Sequence, residues 1–364
     1  MYMLLDIIGW LAVITAVLYS ILLLRWAAVW RSSSPTIPTE RIEQGKSIII
    51  PFRNDVGVLQ RLLGQLRIQL NDVSLVEIIA VNDHSEEALV LGELADWAKL
   101  TVLENKGEGK KSALRTGIER AQFDSIVTLD ADILLADNWW SFVGTLETRE
   151  DQMIIFPIGL RSGFRWEQIE WSYLHGITGG SAMAGRALMA NGSHVNFSKK
   201  IYSTTLPNEH SVSSGDDMFL LERTKQVGAV RYVYFSEPIC FVDGNVNLLE
   251  FIHQRVRWAG KAARLRDIDM LSFGVFTFMS TVLYLVLIVG VFLDKKILLF
   301  LSFVIVLKWL SERNFIASYR VLKMPQVGFV SSLIFSVFYP LYTIFVALLS
   351  LIYRPKWKGR PIKI

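Results

Sequence analysis

The chain has 364 residues, 52% of them hydrophobic, and a formal net charge of +4. A mean hydropathy of +0.36 is too apolar for an ordinary soluble enzyme, and the excess lies at the two ends around a middle of ordinary composition, which suggests a soluble domain held between membrane segments. The single cysteine, Cys240, excludes an internal disulfide and a thiolate zinc cluster, and the modest Lys/Arg excess suits an anionic lipid surface better than nucleic acid.

Ile7–Leu24 is an apolar stretch just long enough to span a bilayer. It has no basic start and no small-residue cleavage site, so it reads as an anchor rather than a signal peptide. Arg25, Arg31 and Arg41 follow it, which by the positive-inside rule places the middle domain in the cytosol. Ser32–Pro38 is a proline-bearing polar linker. Lys46–Phe52 reads as a buried strand, followed by a helical pattern at Val58, Leu62, Leu63, Leu66 and Leu70. Val76–Asn82 predicts a second strand, Glu86–Ala98 a helix, and Leu100–Leu103 a short strand. Asn105–Lys110 is a glycine-rich basic loop opening a helix to about Ala121.

Ser125–Leu135 holds a β-branched and aliphatic run ending in Asp130-Ala-Asp132. Alternate residues of an extended segment point the same way. Two such carboxylates at the C-terminal end of a strand can grip a hard divalent cation, which in turn can hold a diphosphate. Taken alone, the pair reads equally as a strand exiting into an acidic turn. Strands alternating with helices of about 12 residues indicate an α/β domain with a mostly parallel, doubly covered sheet.

Further along, Gln152–Leu160 predicts a strand, Trp166–Asn191 a helix broken near Gly179-Gly180, and Ser193–Phe197 another strand. Gly215-Asp216-Asp217 starts a helix to about Val227, with its acids where the dipole favours them. After a strand at Val230–Phe235, Leu248–Leu265 is a basic amphipathic helix, whose Arg255, Arg257, Lys261, Arg264 and Arg266 suit a membrane surface. Leu271–Leu293 is long enough to span; Ile297–Leu307 is a weaker span. Val327–Tyr353 is interrupted by Pro340 and precedes a basic tail. Three crossings from the cytosol would leave that tail outside, whereas its charge favours the cytosol; one resolution is a re-entrant hairpin bent at Pro340, each arm roughly 20 Å long against a core of about 30 Å. His175, His194, His210 and His253 show no metal-ligand spacing.

The motifs stand in a fixed order: Val81-Asn-Asp83-His-Ser85, Asp130-x-Asp132, Gly215-Asp-Asp217 and Gln254-x-x-Arg257-Trp258. Together they resemble the family 2 inverting glycosyltransferases, in particular the membrane-anchored branch with cellulose synthase, hyaluronan synthase and ceramide glucosyltransferase. The resemblance runs from Lys46 to Arg266 and takes in the flanking apolar segments and the final Trp357-Lys-Gly-Arg360. Each motif is weak by itself; their order and spacing carry the signal.

The resemblance implies a GT-A catalytic domain, Rossmann-like with a mostly parallel central sheet, flanked by transmembrane helices. The implied organisation is an anchor (1–30), a linker (31–45), a cytosolic catalytic domain (46–247), an interfacial helix (248–268), a C-terminal membrane region of about three segments (269–353) and a basic tail (354–364). Asp83 would contact the nucleotide base and ribose, although Asn82 stands where the common pattern has a second Asp. Lys110, in the Gly-Lys segment, would complement the diphosphate. Asp132 would bind Mg²⁺ or Mn²⁺, helped by Asp130, which also meets the ribose. Asp217 would be the general base, with Asp216 in the usual place of Glu and so a second candidate. Gln254 and Arg257 would approach the diphosphate and Trp258 would line the acceptor site. Asn196 matches the family's acceptor segment poorly.

The function so implied is sugar transfer, by a multi-pass enzyme of the inner cell membrane, from a nucleotide diphosphate sugar, with UDP the expected carrier, to a lipid or membrane-associated acceptor. Nucleic acid is not an expected partner. A processive polysaccharide synthase is the first alternative and would be told apart by a product ladder. A non-catalytic scaffold subunit is the second, and Asp217→Asn separates it from an enzyme.

Overall fold

The computed structural model describes residues 2–38, 43–203, 216–262, 266–353, 356–357 and 360–361. In chain order its elements are α1 (Tyr2–Ser32), β1 (Lys46–Phe52), α2 (Val56–Leu70), β2 (Val76–Asn82), β3 (Leu100–Glu104), α3 (Gly109–Arg120), β4 (Ser125–Leu129), β5 (Leu134–Leu135), α4 (Trp139–Val143), β6 (Gln152–Ile155), β7 (Gly159–Leu160), α5 (Arg165–Met183), β8 (His194–Ser198), α6 (Lys199–Ser203), α7 (Asp216–Val227), β9 (Ala229–Tyr232), β10 (Cys240–Val242), α8 (Leu248–Ala262), α9 (Ile268–Gly290), α10 (Ile297–Ser318), α11 (Phe329–Ile352), β11 (Lys356–Trp357) and β12 (Arg360–Pro361). They form two compact units: Met1–Ser34, Phe164–Leu188 and Asn245–Tyr353 make one, and Pro35–Gly163, Met189–Gly244 and Arg354–Ile364 the other.

The second unit is built on a sheet of order β3-β2-β1-β4-β8-β6-β9. β1 is parallel to β2 and β4, β2 to β3, and β6 to β9, whereas β8 runs antiparallel to β4 and β6. Every residue of β1 and β4 is buried, as strands covered on both faces require. The chain leaves β1 for β2 and β3 on one side, then returns to β4 on the other. This reversal is a topological switch point, where open α/β sheets form a crevice beyond the strands' carboxyl ends. The sequence sharpens it. Pairing of β1 with β4 ends at Ile49↔Thr128, while pairing with β2 continues to Phe52↔Asn82. Pro51, which has no N–H to donate, falls beyond the last β4 partner, so a proline is tolerated in this central strand. The sheet opens there, and β4 exits into Asp130.

In the first unit, α1 buries Leu5, Gly9, Ala12, Ala16, Ser20, Leu23, Ala27 and Trp30, a stripe at spacings of three and four. Its small residues let α10 approach closely: a Cβ on Gly9 would lie 2.7 Å from the Phe300 ring. Leu5, Ala12 and Ala16 pack in one cluster with Tyr284, Leu287, Ile297 and Val304. The opposite face of α1 exposes Trp10, Ile14, Leu18 and Ile21. Among the described residues, three helices are long and apolar enough to cross a membrane, α1, α9 and α11. α10 carries Lys308, Glu312 and Arg313 in its second half.

Several expectations are corrected. Glu86–Ala98 forms no α-helix, only a 3₁₀ turn at Gly92–Leu94; Gly92 sits at φ +52° and interrupts the helical path. The strand expected over Gln152–Leu160 is divided at Pro157 into β6 and β7. α5 passes unbroken through Gly179-Gly180. Its glycines serve close packing, since a Cβ on Gly176 would meet the Tyr319 ring at 2.3 Å and one on Gly180 the Trp26 Cβ at 2.9 Å.

The hairpin at Pro340 is likewise replaced by one continuous helix, α11. Proline deprives the carbonyl four residues earlier of its N–H partner. That carbonyl belongs to Ser336, and Lys308 Nζ donates to it at 3.2 Å. Tyr284 Oη donates to the neighbouring Val337 carbonyl at 3.1 Å. Neighbouring side chains thus satisfy the broken turn, and the helix has no reason to fold back.

Candidate active site

Asp83, Lys110, Asp130 and Asp217 of the α/β unit are linked by a run of contacts along the sheet's carboxyl edge. Asp83 leaves β2 and is 1% exposed. Its Oδ1 accepts Asn105 Nδ2 at 2.7 Å and the Gly109 N–H at 2.9 Å. Gly109, at φ +86°, opens α3, and a carboxylate at a helix N-terminus meets an orphan donor and the positive end of the dipole. A base or ribose donor reaching Asp83 competes with those bonds.

The next residue, Lys110, places Nζ 2.5 Å from Asp130 Oδ1. Asp130 Oδ2 accepts the Ser193 hydroxyl at 2.7 Å, and the Asp130 N–H donates to the Ser193 carbonyl at 3.1 Å. Gly192, one residue earlier, donates its N–H to Asp217 Oδ2 at 3.1 Å. Asp217 Oδ1 in turn accepts the Met218 N–H at 3.0 Å, in the first turn of α7. Asp83, Lys110, Asp130 and Asp217 are therefore brought together by two short segments, Gly109-Lys110 and Gly192-Ser193. Lys111 adds a tie between α3 and α7, with Nζ 5.1 Å from the Phe219 ring centre. Asp132 is exposed one turn beyond Asp130. Asp216 begins α7 with its side chain outside the described residues, where Gly215 and His210 also lie.

Asp130 and Asp132 supply hard oxygen donors from one turn, which suits Mg²⁺ or Mn²⁺. Among the described residues no three His, Cys, Asp or Glu side chains form a ready-made cage. The residues fit a cation that takes its other ligands from a diphosphate.

Motif reading overlooked four residues here. Arg53 is buried, and its Nη1 donates to the Asp83 and His84 carbonyls, both at 2.8 Å. Asn105 holds Asp83 with its Nδ2 and accepts Ser112 Oγ at 2.7 Å with its Oδ1. Gly192 and Ser193 complete the set. The available signals were a polar residue directly after β1 and another opening the glycine loop. For Gly192-Ser193 the only signal was a small pair before a strand.

Beneath Asp130, Trp139 Nε1 donates to His194 Nε2 at 3.4 Å. The proton of the neutral ring therefore sits on Nδ1, which faces Cys240 Sγ at 3.3 Å. Burial pushes His194 down to about 3 and the Cys240 thiol up. Both are inert core groups.

Gln254, Arg257 and Trp258 lie on α8, in the helical unit. Arg255, expected at a lipid surface, is instead 4% exposed and bonds Glu170 of α5, Nε to Oε2, at 2.7 Å. The helix turns it inward because Phe251, Arg255 and Trp258 share a face at spacings of four and three. The guanidinium carbon is 4.3 Å from each of the two ring centres. Gln254 and Arg257 are half-buried. Lys261 and Arg264 have side chains outside the described residues.

Residues 47–185 match the family model described as glycosyl transferase family 2. A Sulfolobus acidocaldarius protein named "Probable glycosyltransferase" is 28% identical over 240 residues, 61% of this chain and 50% of that protein, so the chain spans about half the length of the curated relative it matches. The mannosyltransferase PcManGT from Pyrobaculum calidifontis, solved in complex with GDP-Man and Mn²⁺, superposes with a TM-score of 0.56 at 16% identity, covering 96% of this chain and 99% of that one. The fold is an α/β, Rossmann-like GT-A domain with a mostly parallel central sheet, accompanied by three helices able to cross a membrane.

Proposed function

We propose that this chain, whose residues 47–185 match the family 2 glycosyltransferase model, transfers one sugar from a UDP-linked donor to a lipid or membrane-associated acceptor, inverting the anomeric centre. The observation that carries the reading is the linkage of Asp83, Lys110, Asp130 and Asp217 through Gly109 and Gly192-Ser193. A cation-binding acid, a phosphate-neutralising base and a further carboxylate stand together at the switch point. The same fold in the P. calidifontis mannosyltransferase is described with GDP-Man and Mn²⁺, which supports a nucleotide sugar and a divalent ion as ligands of this architecture.

Asp130 and Asp132 would hold Mg²⁺ or Mn²⁺, which when bound would supply positive charge to the leaving nucleoside diphosphate. Lys110 brings a cationic donor to the diphosphate, and the fork of Arg257 is of a kind suited to phosphate oxygens. Asp83 anchors the glycine loop under the nucleoside. Asp217 takes the proton of the acceptor hydroxyl as that oxygen attacks the anomeric carbon. The bond from that carbon to the diphosphate oxygen breaks, and its electron pair leaves with the nucleotide. Attack opposite the leaving group inverts the centre. Trp258 offers the acceptor a flat apolar face. The exposed apolar faces of α1, α9 and α11 support a multi-pass membrane enzyme, and Arg25, Arg31 and Arg41 after the first apolar stretch support a cytosolic catalytic domain.

The test is turnover by the detergent-purified protein of a panel of UDP- and GDP-sugars with Mn²⁺, with and without membrane lipid extract. Metal-dependent nucleotide release that rises with lipid and yields an organic-soluble glycoside supports the reading and names the donor. A ladder of polymer overturns single transfer. No release from any donor, with Asp217→Asn equal to wild type, overturns catalysis.

A further inference from the structure

The α8 motif residues are held from α5 by two buried carboxylates that no motif contains. Glu167 is 1% exposed and Glu170 is 3% exposed. Glu167 accepts from Asn245 twice, Nδ2 to Oε1 at 2.5 Å and the backbone N–H to Oε2 at 3.0 Å. Asn245 Nδ2 also donates to Gln254 Oε1 at 3.0 Å. Glu170 takes Arg255 Nε, and Arg255 Nη1 donates to the same Gln254 oxygen. Phe251 and Trp258 sandwich the guanidinium. One network therefore runs Glu167, Asn245, Gln254, Arg255, Glu170, with the Trp258 ring against the Arg255 guanidinium.

Chemistry fixes the orientation of Gln254. Arginine has only donors, and the Asn245 group that meets a carboxylate must be its NH₂. The Gln254 atom facing both is thus its oxygen, so its NH₂ is the other end, chemically able to donate to an oxygen such as that of a phosphate. We propose that Glu167 and Glu170, acting through Asn245 and Arg255, are positioning residues that set the Gln254 amide and the Trp258 ring for the transfer reaction. The inference rests on the sugar-transfer reading for its purpose, though its geometry is independent of it.

Stability alone is a poor reason for this arrangement. Burial raises the Glu170 carboxyl above its usual range while Arg255 pulls it back. The ion pair itself uses one hydrogen bond, and the other Glu170 oxygen meets the Tyr339 hydroxyl only at 3.5 Å. A buried pair satisfied this incompletely stabilises little compared with apolar side chains of similar volume, whereas deleting one partner strands a buried charge. What the apolar pair cannot do is hold Gln254 and orient Trp258.

The experiment compares wild type, Glu170→Gln, Glu170→Asp and the double variant Glu170→Leu/Arg255→Met, all full-length in detergent. Three quantities are read: the thermal midpoint, the donor KM and kcat, and hydroxyl-radical oxidation of Trp258 by mass spectrometry. The double variant should melt near wild type yet lose about tenfold or more in kcat/KM, the order expected of a misplaced site group. Its Trp258 should be oxidised several-fold faster, and Glu170→Asp should recover part of both losses. A double variant with wild-type kinetics and unchanged Trp258 oxidation overturns the proposal. If wild type transfers no sugar, the functional reading fails by itself, and the Trp258 oxidation series still decides whether the pair positions the ring.

Discussion

Asp217 accepts the Gly192 N–H at 3.1 Å at a place where a Cβ on residue 192 would stand 2.9 Å from the Asp217 Cβ. Only glycine lets the loop and the first turn of α7 come so close, and the atom in the way belongs to the base of the side chain, which cannot swing aside. Gly192→Ala must therefore move Asp217 from its hydrogen bond. With Asp217 as general base, kcat should fall by about tenfold to hundredfold, since small displacements of reacting groups are costly. Nucleotide affinity should stay within about threefold, because no binding contact is removed. Steady-state kinetics beside a nucleotide titration checks this; an equal loss in both would place Asp217 in binding instead.

The ammonium of Lys110 lies 2.5 Å from Asp130 Oδ1, so with Asp130 as a metal ligand it competes with the divalent ion for the same carboxylate. Both side chains are partly exposed, at 23% and 27%, and such a pair is worth up to about 1 kcal/mol. Lys110→Met should thus tighten Mn²⁺ binding in the absence of nucleotide by about threefold to fivefold. It should weaken binding of the nucleoside diphosphate with Mn²⁺ present, because a cationic donor is lost. Free Mn²⁺ measured by electron paramagnetic resonance, with and without nucleotide, separates the effects. Weaker metal binding in both conditions would show that Lys110 does not compete.

Much of this was readable beforehand, for physical reasons. The run Ser125–Leu129 could only be a buried strand, so the acids after it had to lie at a sheet edge. The helix at α3 announced itself by glycines ahead of a periodic segment. What escaped was long-range. Glu167 and Glu170 look like the solvent face of an amphipathic helix until Asn245 and Arg255, 78 and 85 residues later, arrive to bury them. Arg255 looked interfacial for the complementary reason. Pro340 signals a break locally, and only Lys308, 28 residues away from Ser336, cancels it. The stretch Glu86–Ala98, expected as a helix, is irregular from Glu86 to Leu91 and then turns at Gly92, where φ is +52°.

Acid should destabilise the protein through its buried histidines. Burial pushes His194 down to about 3 and His175 down to about 4, against 6.5 for an unperturbed ring. Between those values and 6.5 the unfolded chain binds more protons than the native one, so stability rises with pH through that window and is lost as pH falls. The slope is about 1.4 kcal/mol per pH unit for each histidine. Unfolding midpoints from pH 7 to pH 4 test this. His194→Leu, although less stable throughout, should lose the slope of one proton. An unchanged slope would mean that His194 is already protonated in the fold or does not titrate on unfolding.

Lys308 has two duties within the helical unit. It pairs with Glu312 one turn on, whose Oε1 also accepts Tyr19 Oη at 3.0 Å, and it donates to the Ser336 carbonyl that Pro340 leaves without an N–H. Both side chains are largely buried, at 16% and 6% exposed. Lys308→Leu would strand a carboxylate and a carbonyl together, a loss of about 3–5 kcal/mol for the broken buried pair. Pro340→Ala returns an N–H to Ser336 and makes the second duty redundant. It should therefore cost little alone and rescue part of the Lys308→Leu loss, about 1 kcal/mol for one backbone hydrogen bond. Thermal midpoints of the two single variants and the double in detergent close the cycle. Strict additivity would show that Lys308 does not support the broken turn, and that α11 stays continuous through its packing alone.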